Sequence, residues 1–500
     1  MNLLEQFRRA RIVGTPIIAI RTADPAATMR TLMCSQKNNG APVSVDNCPF
    51  LHWDYVAGIR DVRASNKLGP SALSSLGENP AEIKDPVFAL IAAHNLPEYS
   101  VMFFANAHRI IGEQGVSQAI WNLRDKFKNS FRTLVMLCPT LNLPAEISQD
   151  VLMLDEPLPT SAELEAIVRD TFKSADLPIP VDGSIMKAVD AICGLAAFPA
   201  EQSCAMSITK DGMDLNALWE RKRQVIEATP GLSVWRGGET FDDIGGCDNV
   251  KTFMRNLILG EEPPRAVVFQ DEVEKSFAGS GTDLSGVTTE MEGMLLTWME
   301  DHHAIGAVYL GPPGAAKSMV AKATGNTAGI PTIAFDLTSM KSSLVGDSTA
   351  RLQQALKVVE AVSQGRALFL ATANSIGALS PALRRRYSLG CFYFDLPSQA
   401  ERNAIWQIYL KKYSLPKQEL PGGSGWTGAE IRNCCSLAWR LRIPLKEAAT
   451  YIVPVAISDK ARIEKLRQEA SGRFISASYS GIYNQSLEEN TSSRSISLAN

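Results

Sequence analysis

Short, uninterrupted apolar runs alternate with amphipathic stretches along most of the chain. The first group comprises TPIIAI (Thr15–Ile20), YSVMFFANAH (Tyr99–His108) and RTLVMLCP (Arg132–Pro139), with helical patterns from about Asp24 and in IGEQGVSQAIWNLRDKF. Strands apolar on both faces belong inside a parallel sheet covered by helices, so this arrangement predicts an α/β module. Residues from about 160 to 230 read as helices only, with charge-rich exposed faces. The second half repeats the plan: AVVFQDE, GAVYLGPPG, PTIAFDL, RALFLATAN and GCFYFDLP are strand candidates, with a helical pattern in nearly every gap. From Ser398 to about Glu469 the pattern is helical again. Thr160/Glu163, Ser398/Glu401 and Thr427/Glu430 each set a hydroxyl three residues before a carboxylate, the capping box that starts a helix. A weak internal repeat aligns LVMLCPTLNLPAEI…LDEPLPTSAELEAI with LFLATANSIGALSPAL…FYFDLPSQAERNAI and suggests two related modules.

Composition narrows the class. At roughly 150 residues per domain, 500 residues imply about three domains. Apolar residues at 45% and charged residues at 21% exclude disorder over most of the length, a collagen-like repeat and a coiled-coil rod. A net charge of −3 provides no global field towards nucleic acid or an anionic membrane. With no basic–aromatic strip either, nucleic acid is not an expected partner. The nine cysteines contain no C-x-x-C, which reads as a reducing, cytoplasmic setting. Neither a signal pattern nor an apolar run of spanning length is present, so no membrane is expected. His302 and His303 are adjacent, cannot share a helical face and lie outside any H-E-x-x-H, which argues against a metalloenzyme. The last thirty residues hold nine serines and are expected to be a disordered tail.

The chemistry concentrates in the second half. GPPGAAKS (Gly311, Pro312, Pro313, Gly314, Ala315, Ala316, Lys317, Ser318) follows a strand candidate and opens a helical stretch, SMVAKATGNTAG, in which Met319 is a further candidate contact. That is the context of a phosphate-binding loop, in which backbone N–H groups and the helix dipole face phosphate oxygens. Lys317 would reach the β- and γ-phosphates and Ser318 would offer its hydroxyl to Mg²⁺. Glycine normally precedes this lysine; Ala316 there would cost on the order of 1–2 kcal/mol if its φ is positive. AVVFQDE delivers two carboxylates at a strand end, Asp271 for the Mg²⁺ shell and Glu272 as the general base that polarises water. RALFLATAN ends in Asn374, which can hold the attacking water, and Arg384–Arg386 precede a strand as either a solvated basic turn or something more.

Together these motifs resemble the AAA branch of the AAA+ ATPases. FDDIGG (Phe241–Gly246) is similar to that family's opening signature, whose backbone at Asp243, Ile244 and Gly245 lies against adenine. GPPGAAKS resembles its Walker A, VVFQDE its Walker B and ATAN its sensor 1. The arginine run resembles its arginine fingers, represented by Arg385 and Arg386, and GWTGAEI, with Gly428 and Ala429, its Gly-Ala lid motif. SLVGDSTARL resembles the first pore loop, with Leu344 where many relatives carry an aromatic. Within the family the likeness is to the uncharacterised single-module ATPases of chloroplast and cyanobacterial genomes. The resemblance implies an α/β fold: a P-loop parallel sheet with permuted strand order plus a helical lid, preceded by a degenerate αβ module with its own helical segment. The expected divisions are 1–158 for the degenerate P-loop-like module, 159–235 for a helical segment and linker, 236–396 for the ATPase core, 397–470 for the lid and 471–500 for the tail.

The order of motifs departs from the family. Walker B comes before Walker A here, so a sheet ordered 5-1-4-3-2 would be visited as 3, 1, 2, 4, 5. Right-handed crossovers then put the Walker A helix on one face and the remaining crossover helices on the other, and still bring Lys317, Ser318, Asp271, Glu272 and Asn374 to one edge. The expected function is Mg²⁺-dependent ATP hydrolysis by a homo-oligomer, a hexameric ring by resemblance, acting on an unidentified protein substrate or adaptor. Arg385 and Arg386 would reach the neighbouring protomer's γ-phosphate. The alternative is a nucleotide-binding scaffold with little turnover, which Ala316 and Leu344 favour; the retained acid pair favours the enzyme. The first module carries TPIIAIRTADP where a phosphate loop would sit and is not expected to bind ATP by the same chemistry.

Overall fold

The computed structural model describes residues 3–33, 48–62, 68–77, 79–139, 141, 143–180, 182–277, 287–340, 347–377, 381–422 and 425–485. The chain forms two compact units, one of residues 1–189 with 196–213 and one of residues 190–195 with 214–500.

The first unit is built on six strands: β1 (Ile17–Arg21), β2 (Phe50–Asp54), β3 (Gly58–Asp61), β4 (Val101–Ala105), β5 (Thr133–Cys138) and β6 (Leu152–Asp155). They lie in the order β3-β2-β4-β5-β1-β6, parallel throughout except for the β2–β3 pair. The apolar runs seen in the sequence are the central strands β1, β4 and β5, with alternate residues on opposite faces. Ile17 and Ala19 pack with the helix Gln114–Asn129, while Ile18 and Ile20 pack with the helix Leu3–Ile12. A short hairpin of β7 (Ile208–Thr209) and β8 (Gly212–Met213) also belongs to this unit. The segment expected to be helices only is therefore neither purely helical nor a block of its own. Its helices Ser161–Ser174 and Ala197–Ser207 fall in the first unit and Leu215–Glu227 in the second.

The second unit carries β9 (Leu232–Val234), β10 (Ala266–Gln270), β11 (Ile305–Leu310), β12 (Thr332–Phe335), β13 (Ala367–Ala373), β14 (Cys391–Tyr393) and β15 (Ile475–Ser476). Their order is β15-β14-β11-β13-β10-β12-β9, with only β9 antiparallel to its neighbour. The strand candidates of the second half are β10 to β14. Two apolar layers cover this sheet. Val267, Phe269, Ala307 and Tyr309 meet the helix Lys317–Ala328 through Val320, Ala321 and Ala323. Val268, Val308 and Phe369 meet Met291 and Leu295 of the helix Val287–Asp301, and Leu356 and Val359 of the helix Asp347–Ser363. The helix after β11 thus lies on the opposite face from the helices that lead into β11 and β13, as the crossover argument requires.

Helices Gln399–Lys412 and Gly428–Leu441 form a lid with its own core, in which Trp406, Trp426, Ile431 and Cys435 are buried. All three capping boxes are made; at Thr427 the backbone N–H donates to Glu430 Oε2 at 2.6 Å. The tail expected from Ser471 is instead structured as far as Gln485. β15 pairs with β14, and the buried Tyr483 donates its hydroxyl to Asp395 Oδ2 at 2.6 Å, beside Arg467 Nε at 2.9 Å from Oδ1. The serine content hid the apolar anchors Phe474, Ile475 and Tyr483; residues 486–500 lie outside the described residues. Among the described residues no helix is long and apolar enough to cross a membrane.

Candidate functional site

β11 ends at Leu310, and residues 311–316 lead into the helix Lys317–Ala328. Two glycines are required here. A Cβ on Gly311 would lie 2.1 Å from the Phe394 carbonyl oxygen; Gly314 has φ +81°, and its Cβ would lie 2.8 Å from Thr427 Oγ1 of the lid. Ala316, the helix N-cap, has φ +67° and ψ +7°, so the strain foreseen from the sequence is present. Beyond it the first-turn N–H groups have no intrahelical acceptor and suit an anion.

Lys317 folds back over this loop. Its ammonium donates to the carbonyls of Gly311 at 2.7 Å and Pro312 at 2.8 Å, and to Asn374 Oδ1 at 3.0 Å. Burial pulls the Lys317 pKa down to about 8, against the opposing pull of the Glu274, Asp271 and Glu272 carboxylates. Asp271 and Glu272 follow β10, which lies beside β13, so the acids stand next to Thr372 and Asn374. Ser318 Oγ donates to Asp271 Oδ1 at 2.9 Å, and Thr372 Oγ1 donates to the same oxygen at 2.6 Å. Glu272 has φ +48°; its N–H donates to Thr372 Oγ1 at 2.9 Å, and its Oε1 accepts from Asn374 Nδ2 at 3.1 Å. Non-glycine residues in left-handed conformations concentrate at functional sites.

A cavity of about 400 Å³ joins these groups. Its phosphate-loop side is lined by Pro313, Gly314, Ala316, Lys317, Ser318 and Met319, and its acid side by Asp271, Glu272 and Asn374. Asp243, Ile244 and Gly245 line it from the core, and Gly428 and Ala429 from the lid. Gly311, Pro312 and Ala315 do not line it: the first two accept from Lys317 through their carbonyls, and Ala315 is buried. Arg385 and Arg386 end the helix Pro381–Arg386 and do not line the cavity; Arg386 is paired with Glu300 and Arg385 is exposed. Leu344 and Val345 of the expected pore loop, and the Gly/Ser-rich segment after Phe277, lie outside the described residues.

Three participants went unnoticed in the sequence. Glu274 Oε1 accepts the Asn374 N–H at 2.9 Å, Lys275 pairs with Glu272, and Thr372 ties both acids to β13. Thr372 stands two positions before Asn374, on the same side of the strand, and the period-2 pattern could have flagged it. The Ser318 hydroxyl and Asp271 carboxylate are hard oxygen donors that fit Mg²⁺. Among the described residues no group of three or more His, Cys, Asp or Glu is placed to hold a metal ion.

Two segments of the chain match known protein families. Residues 2–156 match the SpoVK-like AAA ATPase, N-terminal domain, and residues 307–370 match the ATPase family associated with various cellular activities (AAA). The chain is 22% identical to the uncharacterized AAA domain-containing protein ycf46 of Guillardia theta, covering 94% of this chain and 95% of that protein. It is also 22% identical to the ycf46 protein of Pyropia yezoensis, over 96% and 100% of the two chains. The chain therefore carries AAA ATPase family domains, a SpoVK-like N-terminal domain followed by an AAA domain, and is a homologue of the ycf46 AAA proteins.

Proposed function

We propose that this protein hydrolyses ATP with Mg²⁺ in a homo-oligomeric ring, a hexamer by family resemblance, and uses the cycle to remodel a protein or complex. One observation carries the reading: Lys317, Ser318, Asp271, Glu272 and Asn374 meet at one cavity although they come from three strands and β10 precedes β11 in the chain. Lys317 and the loop N–H groups grip the triphosphate. Ser318 and Asp271 would hold Mg²⁺, which neutralises charge on the phosphate oxygens. Asn374 and Glu272 position water, and Glu272 takes its proton as the water oxygen bonds to the γ-phosphorus and the bond to the β,γ-bridging oxygen breaks, leaving ADP and phosphate. Arg432 of the lid helix lines the cavity, whereas Arg385 lies outside it and is exposed, where it could serve as a finger to a neighbouring protomer. We read the position of β10 ahead of β11 as a permutation of the family's strand order.

The test is phosphate release by Glu272→Gln. Losing a general base costs about 10²–10⁴-fold, so turnover should fall by at least two decades while ATP binding persists; unchanged turnover refutes the assignment. A scaffold with little turnover is the second reading, favoured by the strain at Ala316. Wild-type protein that binds ATP but releases no phosphate above Lys317→Ala would establish it.

A further inference from the structure

We propose that the C-terminal segment, residues 471–485, is a clasp that sets how far the candidate cavity opens, acting through the positioning residue Glu401. This deepens the ATPase reading and rests on it for what the cavity holds. The cavity has two walls. Asp243, Ile244 and Gly245 come from the core, while Ile405 and Tyr409 come from the lid helix Gln399–Lys412. The walls meet closely: a Cβ on Gly245 would lie 2.7 Å from Ile405 Cγ1, and one on Gly246 would lie 2.6 Å from Glu401 Oε1. Residues 394–398 join β14 to the lid helix, so a rotation about this connector parts the walls.

Glu401 holds the first turn of the lid helix from three sides. Its Oε2 accepts the Ser398 N–H at 2.8 Å, which caps the helix. Its Oε1 accepts the Cys247 N–H of the core at 3.1 Å and the Ser478 hydroxyl of the C-terminal segment at 2.7 Å. Hydrogen bonds to an ionised carboxylate are the strong ones, so the three bonds fix the helix end against the core.

Backbone pairing brings Ser478 to this place. Phe392 and Tyr393 of β14 stand beside Ile475 and Ser476, the Ala477 N–H donates to the Tyr393 carbonyl at 2.9 Å, and the Ala477 carbonyl accepts the Val250 N–H at 3.1 Å. Asn249 Nδ2 donates to the Ser476 carbonyl at 2.6 Å. Val250 and Asn249 begin the helix that follows the core wall of the cavity. The chain then doubles back: the Tyr483 N–H donates to the Phe474 carbonyl at 2.8 Å, and the Gly472 N–H to the Tyr483 carbonyl at 2.9 Å. This return sets the Tyr483 hydroxyl on Asp395, inside the connector, while Ser478 reaches Glu401 just beyond its other end. Pairing with β14 anchors the segment to the core; the two side-chain bonds act on the joint.

The experiment is the release rate of N-methylanthraniloyl-ADP, chased by unlabelled ADP from the full chain with Mg²⁺, beside the thermal midpoint of each variant. Ser478→Ala and Tyr483→Phe each remove one hydrogen bond to a carboxylate and should each release the probe at least about threefold faster than wild type. Glu401→Ala should also speed release, and adding Ser478→Ala to it should change nothing further, because the hydroxyl acts through that carboxylate. If Glu401→Ala does not fold, the two single variants decide the matter. Ile475→Val trims packing but keeps both bonds, so it should lower the midpoint and leave the release rate unchanged. A wild-type rate in either Ser478→Ala or Tyr483→Phe, or a rate in Ile475→Val that rises with its loss of stability, overturns the clasp and leaves the ATPase reading intact. Wild type that binds no ADP overturns both.

Discussion

Ala316 holds the left-handed conformation directly before Lys317 with no glycine to relieve it. Glycine there removes the strain and adds back some unfolded-chain entropy, so Ala316→Gly should stabilise the protein by about 0.5–1 kcal/mol, read by chemical denaturation. This cost was legible in the sequence because the loop pattern fixes which position needs a positive φ. The environment of Lys317 was not, because it depends on burial and on three acids from elsewhere in the chain. With the Lys317 pKa lowered to about 8, the free ammonium is lost as pH rises through that value. A bound triphosphate needs the charged form. ATP binding should therefore take up a proton around and above pH 8, and affinity should decline there, measured by calorimetry in buffers of different ionisation enthalpy. The same shift acts on stability: between about 8 and the ordinary lysine value of 10.5 the unfolded chain holds the extra proton, so this group adds stability as pH rises through that window.

The parts of the sheet legible beforehand were the strands buried on both faces. β10 to β14 stand out because helices cover them on each side, so their residues are apolar but for Gln270, Thr332 and Thr372. β6 is an edge strand and mostly exposed, β2 alternates buried and half-buried residues, and β15 is two residues long; none carries a signal strong enough to read alone. Chain order mattered less than position. The Arg265 N–H donates to the Arg366 carbonyl at 2.9 Å, and Ala266 and Ile305 stand beside Ala367 and Leu368 at one end of the sheet. Beginnings this close can be reconnected by short links. A chain in which residues 263–303 are moved to follow Gln364 should fold and keep ATP turnover within about threefold, since every contact that orders the site is retained. Loss of turnover in a well-folded reordered chain would show that the present order serves the chemistry. Glu274 was hidden because it acts on Asn374 across neighbouring strands, which no local spacing displays, whereas Thr372 was open only to the period-2 pattern of β13.

Two sheets in one chain share an order. β6-β1-β5-β4-β2, with β3 antiparallel beyond, repeats in β14-β11-β13-β10-β12, with β9 antiparallel beyond. The weak sequence repeat aligns β5 with β13, β6 with β14, and the capping boxes at Thr160 and Ser398, which supports two related modules. In the first, Thr28 Oγ1 donates to Glu156 Oε2 at 2.7 Å and Thr22 bonds the same oxygen, just after β1. If Arg385 acts between protomers, Arg385→Ala and Lys317→Ala should each lose about 10³-fold in turnover. Mixing the two should restore activity, because some interfaces then join an intact lysine to an intact arginine. Failure to complement places the arginine elsewhere. The central claim, that the lysine and the acids of a differently ordered strand act on one magnesium–triphosphate, is tested most directly by ATP calorimetry with and without Mg²⁺. Lys317→Ala should bind weakly under both conditions, while Asp271→Asn should bind without Mg²⁺ as wild type does and lose only the gain that Mg²⁺ confers. An undiminished Mg²⁺ gain in Asp271→Asn, or wild-type affinity in Lys317→Ala, would contradict the account.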